Sequence, residues 1–180
     1  MTGERRNADV IVIGAGIHGS STAMHLARRG LDVTVIEKDY AGRHSSGVNA
    51  GGVRQLARHV AEIPLSVASM ELWEHIEGLV GDDCGFEAHG QVLVAETEQE
   101  LAELRDRVAD LRTRGFVHEE LIDAKELKRL VPAVSDSCPG GIVSRRDGAA
   151  DPFRTTQAFR RAAIAAGAVF REGVHVSSLV

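Results

Sequence analysis

The segment Asp9-Val-Ile-Val-Ile-Gly-Ala-Gly-Ile-His-Gly19 decides the fold of this 180-residue chain. Its first half is a continuous β-branched run, which is typical of a parallel strand buried on both faces. Its second half is rich in glycine and leads into a helical pattern over 20–29, which Gly30 is placed to end. A second β-branched run, Val33–Ile36, stops at Glu37. This order of strand, glycine turn, helix, strand and acid predicts a Rossmann-like α/β fold with a dinucleotide site.

The glycines and the acid have separate tasks in such a site. Gly14 allows the tight turn, Gly16 leaves room for a pyrophosphate, and Gly19 lets the helix pack closely on the strand. The helix N-terminus would present unpaired amides and the positive end of its dipole to the phosphates. Glu37, eighteen residues after Gly19, is placed to accept both ribose hydroxyls of an adenosine, and its charge disfavours a 2′-phosphate. His18, at a variable position of the turn, is expected to face solvent.

The composition excludes several other classes of protein. With 43% hydrophobic and 26% charged residues the chain is too apolar for disorder. Its net charge of −5 gives no general attraction for nucleic acid or anionic membranes. Cys84 and Cys138 are far apart and outside any metal-binding motif, so neither a disulfide nor a zinc site is expected. No apolar stretch is long enough for a membrane span and no signal-peptide pattern is present, so a soluble cytoplasmic protein is expected.

The nucleotide motif alone does not choose between FAD and NAD, but the segment that follows it does help. Residues 38–54 form a long polar loop rich in small residues, where a nicotinamide domain would usually continue with further helices and strands. Ser45 and Ser46 offer hydroxyls and amides to phosphate. Three glycines would admit close approach of the backbone to a large cofactor: Gly47, Gly51 and Gly52. The alternative is a flexible surface linker.

Three segments resemble one known family, the FAD-dependent amine and amino-acid oxidoreductases, which include D-amino-acid oxidase, glycine oxidase, sarcosine oxidase and dimethylglycine dehydrogenase. They are Ile11–Gly19, Val35–Lys38 and Ser45–Arg54, and the third is the most specific. The resemblance is closest to sarcosine-oxidase-β-like members. It extends, more weakly, through Gly140–Pro152 and the residues after it, and so covers nearly the whole chain.

This resemblance implies a discontinuous FAD-binding domain and the start of an α+β substrate domain. The FAD-binding domain would comprise residues 1–82 and 141–180, and the partial substrate domain residues 83–140. Family enzymes are longer than this chain, which is therefore expected to be a truncated, N-terminal half. A missing C-terminal half, or a second chain, would be the partner that completes the nucleotide sheet and the substrate site.

The resemblance also implies a set of FAD contacts. The glycine turn would line the pyrophosphate, Glu37 would hold the ribose, and the loop would follow the pyrophosphate and flavin. In dimethylglycine-dehydrogenase-like members a histidine at the position of Asn49 carries the flavin covalently; asparagine cannot form that bond, so no covalent attachment is expected. The predicted cofactor-binding residues are Gly14, Ala15, Gly16, Ile17, His18, Gly19, Glu37, Lys38, Ser45, Ser46, Asn49, Ala50, Gly51, Gly52, Val53 and, facing the adenine, Val176.

The implied chemistry is oxidation of the C–N bond of an amino acid or N-methyl amino acid by hydride transfer to flavin. The substrate would be of the sarcosine, glycine or D-amino-acid type. Arg54, at the end of the glycine-rich loop, is the predicted catalytic residue, as a positive charge near the flavin; Arg58 and His59 are weaker candidates. Two alternatives stay open. One is a non-catalytic FAD-binding remnant or subunit, unstable because a half-built sheet exposes apolar surface. The other is a different flavoprotein dehydrogenase, such as a glycerol-3-phosphate dehydrogenase.

Periodicity and capping signals predict the remaining elements. An amphipathic helix over 64–76 would bury Leu65, Ala68, Leu72, Trp73 and Ile76 and close near Gly78. A strand is expected at 90–95, and helices are expected after the capping box Thr97–Glu100, after Asp123 and after the Asp151-Pro152 pair. Residues 168–171 and 174–176 are expected to be strands that return to the nucleotide sheet.

Overall fold

The structure, a computed structural model, describes residues 7–179. In chain order its elements are β1 (Val10–Ile13), α1 (Ile17–Ala27), β2 (Val33–Ile36), β3 (Gly52–Val53), α2 (Ile63–Glu74, after a single 3-10 turn Val60–Glu62), α3 (Ile76–Val80), β4 (Gln91–Ala95), α4 (Glu98–Thr113), β5 (Glu120–Asp123), α5 (Ala124–Leu130), β6 (Gly140–Ser144), β7 (Gly148–Ala149), α6 (Pro152–Ala165) and β8 (Val169–Arg171).

These elements form two compact units. Within the described residues, the first unit comprises 7–51, 75–85 and 150–179, and the second comprises 52–74 and 86–149. These bounds differ from the domain limits expected from sequence, because residues 52–74 and 141–149 pack within the second unit and residues 83–85 within the first. The assignment of one domain to FAD and the other to substrate stays a prediction.

The first unit is built on a parallel sheet in the order β1-β2-β8. Val10 pairs with Val33, and Thr34 pairs with Val169. Helices α1 and α6 pack against each other, and α1 buries Ala23, Met24 and Ala27. The strand–turn–helix–strand order and the return of 168–171 to this sheet are confirmed.

Two expectations for this sheet are wrong. β1 is not buried on both faces: Ile11 is 60% and Ile13 is 55% exposed. The reason is that β1 lies at the edge of the sheet in the described part of the chain, and these two side chains point away from the helices. Residues 174–176 are irregular rather than a strand, because Gly173, at φ +72°, turns the chain after β8. The Val174 N–H then donates to the Glu37 carbonyl at 2.9 Å.

The second unit contains an antiparallel sheet in the order β4-β6-β5 and a short β3–β7 ladder. The strand at 91–95 and the capped helices are confirmed: Thr97 Oγ1 accepts from the Glu100 N–H, and Asp123 Oδ1 accepts from the Glu126 N–H. Every residue of the central strand β6 is buried. Its Ile142 packs with Leu56 and with Val108 of α4 in one part of the core.

The expected helix over 64–76 is two helices, and of its predicted inner face Ile76 is buried but Leu65, Ala68 and Leu72 are exposed. α2 ends at Glu74, and α3 runs on past Gly78 to a left-handed Gly81. In α2 the buried residues are Ile63 and Met70, whereas Leu65 is 76% and Leu72 is 58% exposed. The face that carries Leu65 borders a cavity instead of the core.

None of the helices in residues 7–179 combines the length and apolar character needed to cross a bilayer. In the same residues, no group of three or more His, Cys, Asp or Glu side chains could hold a metal ion.

Candidate functional site

Backbone geometry requires glycine at two positions of the turn after β1, Gly14 and Gly19, and Gly16 is in close contact with a side chain. Gly14 has φ +98°, in the left-handed region, and its N–H donates to the Ile36 carbonyl at 2.8 Å. A Cβ on Gly19 would overlap the carbonyl oxygen of Gly14. A Cβ on Gly16 would lie 2.8 Å from Ser46 Oγ. Gly14 and Gly19 therefore keep the turn tight, and Gly16 leaves the space beside Ser46 without a side chain.

The N-terminus of α1 is open to an anion. Gly16 is the N-cap residue and offers no capping side chain, and the first turn contains no acidic residue. The Ile17 N–H donates to Ser46 Oγ at 3.1 Å, so Ser46 is held beside the first turn. The other amides of the first turn, together with the positive end of the helix dipole, fit a pyrophosphate. His18, in the same turn, is exposed, as expected.

Glu37 joins the end of β2 to the glycine turn. Its Oε2 accepts from the Ala15 N–H at 2.8 Å, and its Oε1 accepts from the Asp39 N–H at 3.0 Å. Although the residue is only 8% exposed, it lines a pocket, and each carboxylate oxygen has a further lone pair to offer. The carboxylate is thus preorganised to accept hydrogen bonds from the hydroxyls of a ribose.

A pocket of about 230 Å³ lies at the carboxyl ends of β1 and β2. Ligands of open parallel sheets bind at such strand ends. Of the predicted residues it brings together Gly14, Glu37, Lys38 and Val176. Five further lining residues are not among the predicted cofactor contacts: Ile13, Ile36, His44, Val174 and His175. His44 Nε2 donates to Asp39 Oδ2 at 2.7 Å, and this hydrogen bond lowers the pKa of the Asp39 carboxyl.

The loop that follows Glu37 is held by hydrogen bonds rather than free, which removes the linker alternative. Asn49 bridges it: Nδ2 donates to the Ser45 carbonyl at 2.9 Å, and Oδ1 accepts from the Gly51 N–H at 2.8 Å. Ser46 is tied to α6, because its carbonyl accepts from Thr156 Oγ1 at 3.3 Å. Asn49 therefore shapes the loop. Ala50 is exposed, and its place beside a cofactor stays a prediction.

The last predicted residues lie in the second unit. Gly52 and Val53 form β3, and with Arg54 they line a cavity of about 360 Å³. Arg58 is also in its wall. The other lining residues come from the chain before α2 and from α2 itself: Glu62, Leu65, Ser66, Ser69, Met70 and Trp73.

Two residues assigned from sequence have other surroundings. Trp73 is half-buried in the cavity wall rather than in the core, with its ring centroid 5.5 Å from that of Phe86. His59 caps the 3-10 turn, since its Nδ1 accepts from the Ala61 N–H at 3.3 Å. The cavity combines two arginines with an apolar wall, an arrangement that suits a small amphipathic anion.

A histidine missed by the sequence analysis is buried in the second unit. The His118 side chain is 5% exposed, and neither ring nitrogen has a hydrogen-bond partner among residues 7–179. Burial lowers the pKa of His118 below its ordinary value of 6.5. Glu119 and Asp147 oppose this decrease, and Arg107 adds to it.

We expect His118 to make the second unit sensitive to mild acid. The pKa of His118 is below 6.5 in the folded chain, so at pH values below 6.5 the unfolded chain binds more protons than the folded chain does. The free energy of unfolding therefore decreases as the pH falls below 6.5. His118→Phe should flatten this dependence, measured as urea midpoints at several pH values between about 7.5 and 5. His89→Gln, at an exposed histidine paired with Glu87, is the control that should keep the wild-type slope. Equal slopes for all three proteins would contradict the expectation.

Comparison with known proteins gives the family. Residues 9–180 match the family described as FAD dependent oxidoreductase. Mitochondrial dimethylglycine dehydrogenase of Rattus norvegicus is 27% identical over 175 residues, which cover 96% of this chain and 20% of that protein. Monomeric sarcosine oxidase of Streptomyces avermitilis is 34% identical over 133 residues, covering 72% of this chain and 33% of that protein.

Among solved structures, L-proline dehydrogenase from P. horikoshii is similar with a TM-score of 0.86 and 31% identity. The similarity covers 97% of this chain and 46% of that one. The chain thus spans less than half the length of each of these three proteins. Because the family match extends from β1 to the end of the chain, this chain belongs to the FAD-dependent oxidoreductases.

Proposed function

We propose that this chain supplies the FAD-binding part, and part of the substrate site, of an enzyme that oxidises the C–N bond of an amino acid or N-methyl amino acid. The observation that carries the proposal is the open N-terminus of α1 beside a glycine turn whose Ala15 amide is bonded to Glu37. Dimethylglycine, sarcosine and proline, named for the three similar proteins, are all amino acids with a substituted nitrogen. This favours the N-substituted type.

In this proposal the first unit holds the cofactor through its backbone more than through its side chains. The free amides of the first turn of α1 would bind the pyrophosphate, with Gly16 giving it room. Glu37 would accept hydrogen bonds from the ribose hydroxyls, and the chain near Val176 would face the adenine. When bound, FAD supplies the group that accepts a hydride from the carbon next to the substrate nitrogen.

The second unit would recognise the substrate. Arg54 and Arg58 provide positive charge for a carboxylate, and Leu65, Met70 and Trp73 provide an apolar wall. Glu62 lies in the same wall, with its Oε2 4.0 Å from Arg58 Nη1, which leaves Arg54 the better placed of the two for an incoming acid group.

The binding proposal is tested by titrating the 180-residue chain with FAD and measuring flavin fluorescence and the shift in melting temperature. A ligand of the folded state raises the melting temperature by mass action. FMN has no adenosine and is the matched control, so it should bind much more weakly. Equal affinity for both flavins, or no binding by a chain with native circular dichroism, would contradict the proposal.

Glu37→Gln should weaken FAD binding at least tenfold, because a charge-assisted hydrogen bond to a ribose hydroxyl is worth roughly 1.5–3 kcal/mol. FMN affinity should not change. Glu77→Gln is the control, at an exposed glutamate in the first turn of α3. The measurement is the dissociation constant of each flavin for the three proteins. If the Glu37→Gln chain bound FAD with the affinity of the wild type, Glu37 would not be the residue that binds the ribose.

Activity is expected to need more than this chain, since it spans less than half of the proteins it resembles. We propose that a longer chain, or a second chain, completes the enzyme. The test is anaerobic bleaching of the flavin in the complete protein by sarcosine, glycine, proline and glycerol 3-phosphate. Bleaching by an amino acid supports the proposal. Bleaching by glycerol 3-phosphate alone would favour the other dehydrogenase class, and no bleaching at all would favour a non-catalytic subunit.

A further inference from the structure

The turn between the two cavity arginines has a costly backbone conformation. Ala57, which lies between Arg54 and Arg58, has φ +56°. A non-glycine residue in the left-handed region costs of order 1–3 kcal/mol and persists only where the surroundings impose it. The turn is nevertheless closed, since the Arg58 N–H donates to the Gln55 carbonyl at 3.4 Å.

Ionised side chains bind the backbone of all four residues of this turn. Asp147 Oδ2 accepts from the Gln55 and Leu56 N–H groups, at 2.9 and 2.8 Å. Glu119 Oε1 accepts from the Ala57 N–H at 2.8 Å. Arg107 Nη2 donates to the Arg58 carbonyl at 2.9 Å. We call Arg107, Glu119 and Asp147 the turn clamp.

Both carboxylates of the turn clamp are buried, and one of them, Glu119, is paired with Arg107. The Glu119 side chain and Asp147 are 0% exposed, and the Arg107 side chain is 25% exposed. Arg107 donates to both carboxylate oxygens of Glu119, at 2.7 and 2.8 Å. Ser144 Oγ donates to the remaining oxygen of Asp147 at 2.7 Å. Removing such charges from water is expensive, and well-packed apolar residues often stabilise a core as well or better. General stability is therefore a weak reason for this arrangement.

We propose that Arg107, Glu119 and Asp147 are positioning residues: they impose the strained 55–58 turn so that Arg54 and Arg58 stand in one wall of the apolar cavity. The cavity then takes a monocarboxylate with a short apolar body. This inference rests on the proposed function, because that function makes the cavity the place for the acid group of the substrate. The clamp residues touch the turn and not the cavity, so they act only through the two arginines.

Trp73 lines the cavity and is the one tryptophan in the sequence, so its fluorescence reports binding to the cavity without any flavin. The probes are hexanoate and hexanol, which share an apolar body and differ in charge. Hexanol should bind through the apolar wall alone, whereas hexanoate also requires the arginines. The ratio of the two affinities therefore reports how the arginines are placed. A general loss of stability would lower both affinities and leave this ratio unchanged.

Glu119→Gln keeps the shape of the side chain but breaks its ion pair with Arg107. We expect hexanoate affinity to fall at least tenfold and to approach that of hexanol, with hexanol affinity unchanged. Glu120→Gln is the matched control, because Glu120 is the next residue, is half exposed and pairs with Arg145 at the surface. Arg107→Lys, which loses the bidentate geometry, should give an intermediate ratio and carries the test if Glu119→Gln does not fold.

A Glu119→Gln or Arg107→Lys chain that is folded and keeps the wild-type ratio would overturn the positioning role. No preference for hexanoate in the wild type would overturn the cavity as a carboxylate site. Neither result affects the FAD titration, which measures binding to the first unit. Failure of this inference and failure of FAD binding are therefore separate outcomes.

Discussion

Gly16→Asp is expected to weaken FAD binding by this chain at least a hundredfold, which corresponds to about 2.7 kcal/mol. Two effects combine. The new Cβ would lie 2.8 Å from Ser46 Oγ, which accepts the hydrogen bond of the Ile17 amide, so Ser46 must move. The new carboxylate would also place negative charge at the start of α1, where the pyrophosphate is expected, and would itself occupy the free amides.

The measurement is the FAD dissociation constant from flavin fluorescence, with circular dichroism as the check on folding. Gly78→Asp is the matched control: it introduces the same charge into the same unit, at an exposed glycine of α3 that has open space around it and no left-handed φ. The control should bind FAD like the wild type. Retention of wild-type affinity by Gly16→Asp would show that α1 does not hold the pyrophosphate.

Asp147→Ala is expected to lower the free energy of unfolding by about 3–5 kcal/mol, among the largest effects of single substitutions. Asp147 is 0% exposed and accepts three hydrogen bonds, from the Gln55 and Leu56 amides and from Ser144 Oγ. Alanine would leave these three donors buried without their acceptor. Asp147→Asn keeps one acceptor oxygen and should cost less than alanine.

Urea unfolding gives the comparison, and the control is Asp151→Ala, four residues further along the chain. Asp151 is the exposed N-cap of α6, where its Oδ1 accepts from the Arg154 N–H at 2.8 Å, and losing such a cap costs about 1 kcal/mol. Equal destabilisation by the two alanine variants would mean that the turn clamp contributes no more than an ordinary helix cap.

The nucleotide-binding half of the fold is readable from sequence because its contacts are local. A β-branched run, a glycine turn and a helix that doubles back to a second strand lie within residues 9–37. Their geometry depends on backbone sterics at Gly14 and Gly19, which residue type alone determines. Capping signals at Thr97, Asp123 and Asp151 are equally local, and each places a helix start correctly.

Predictions fail where a side chain's environment depends on distant neighbours. The apolar positions of α2 specify a helix but not which face meets the core, so Leu65 is 76% exposed while Met70 is buried. β1 has the composition of a central strand but lies at the edge of the described sheet. Periodicity reports the presence of apolar faces and not the partner that covers them.

The sequence by itself determined the βαβ unit, the glycine turn, the acid at the end of β2 and, through these, the family and its cofactor. Only the tertiary structure decided that Asp147, Glu119 and Arg107 converge on the 55–58 turn. Asp147 is 92 residues from Gln55, and Glu119 is 62 from Ala57. Hydrogen bonds from side chains to a distant backbone have no period and no spacing rule, and they exist only once the chain has brought those residues together.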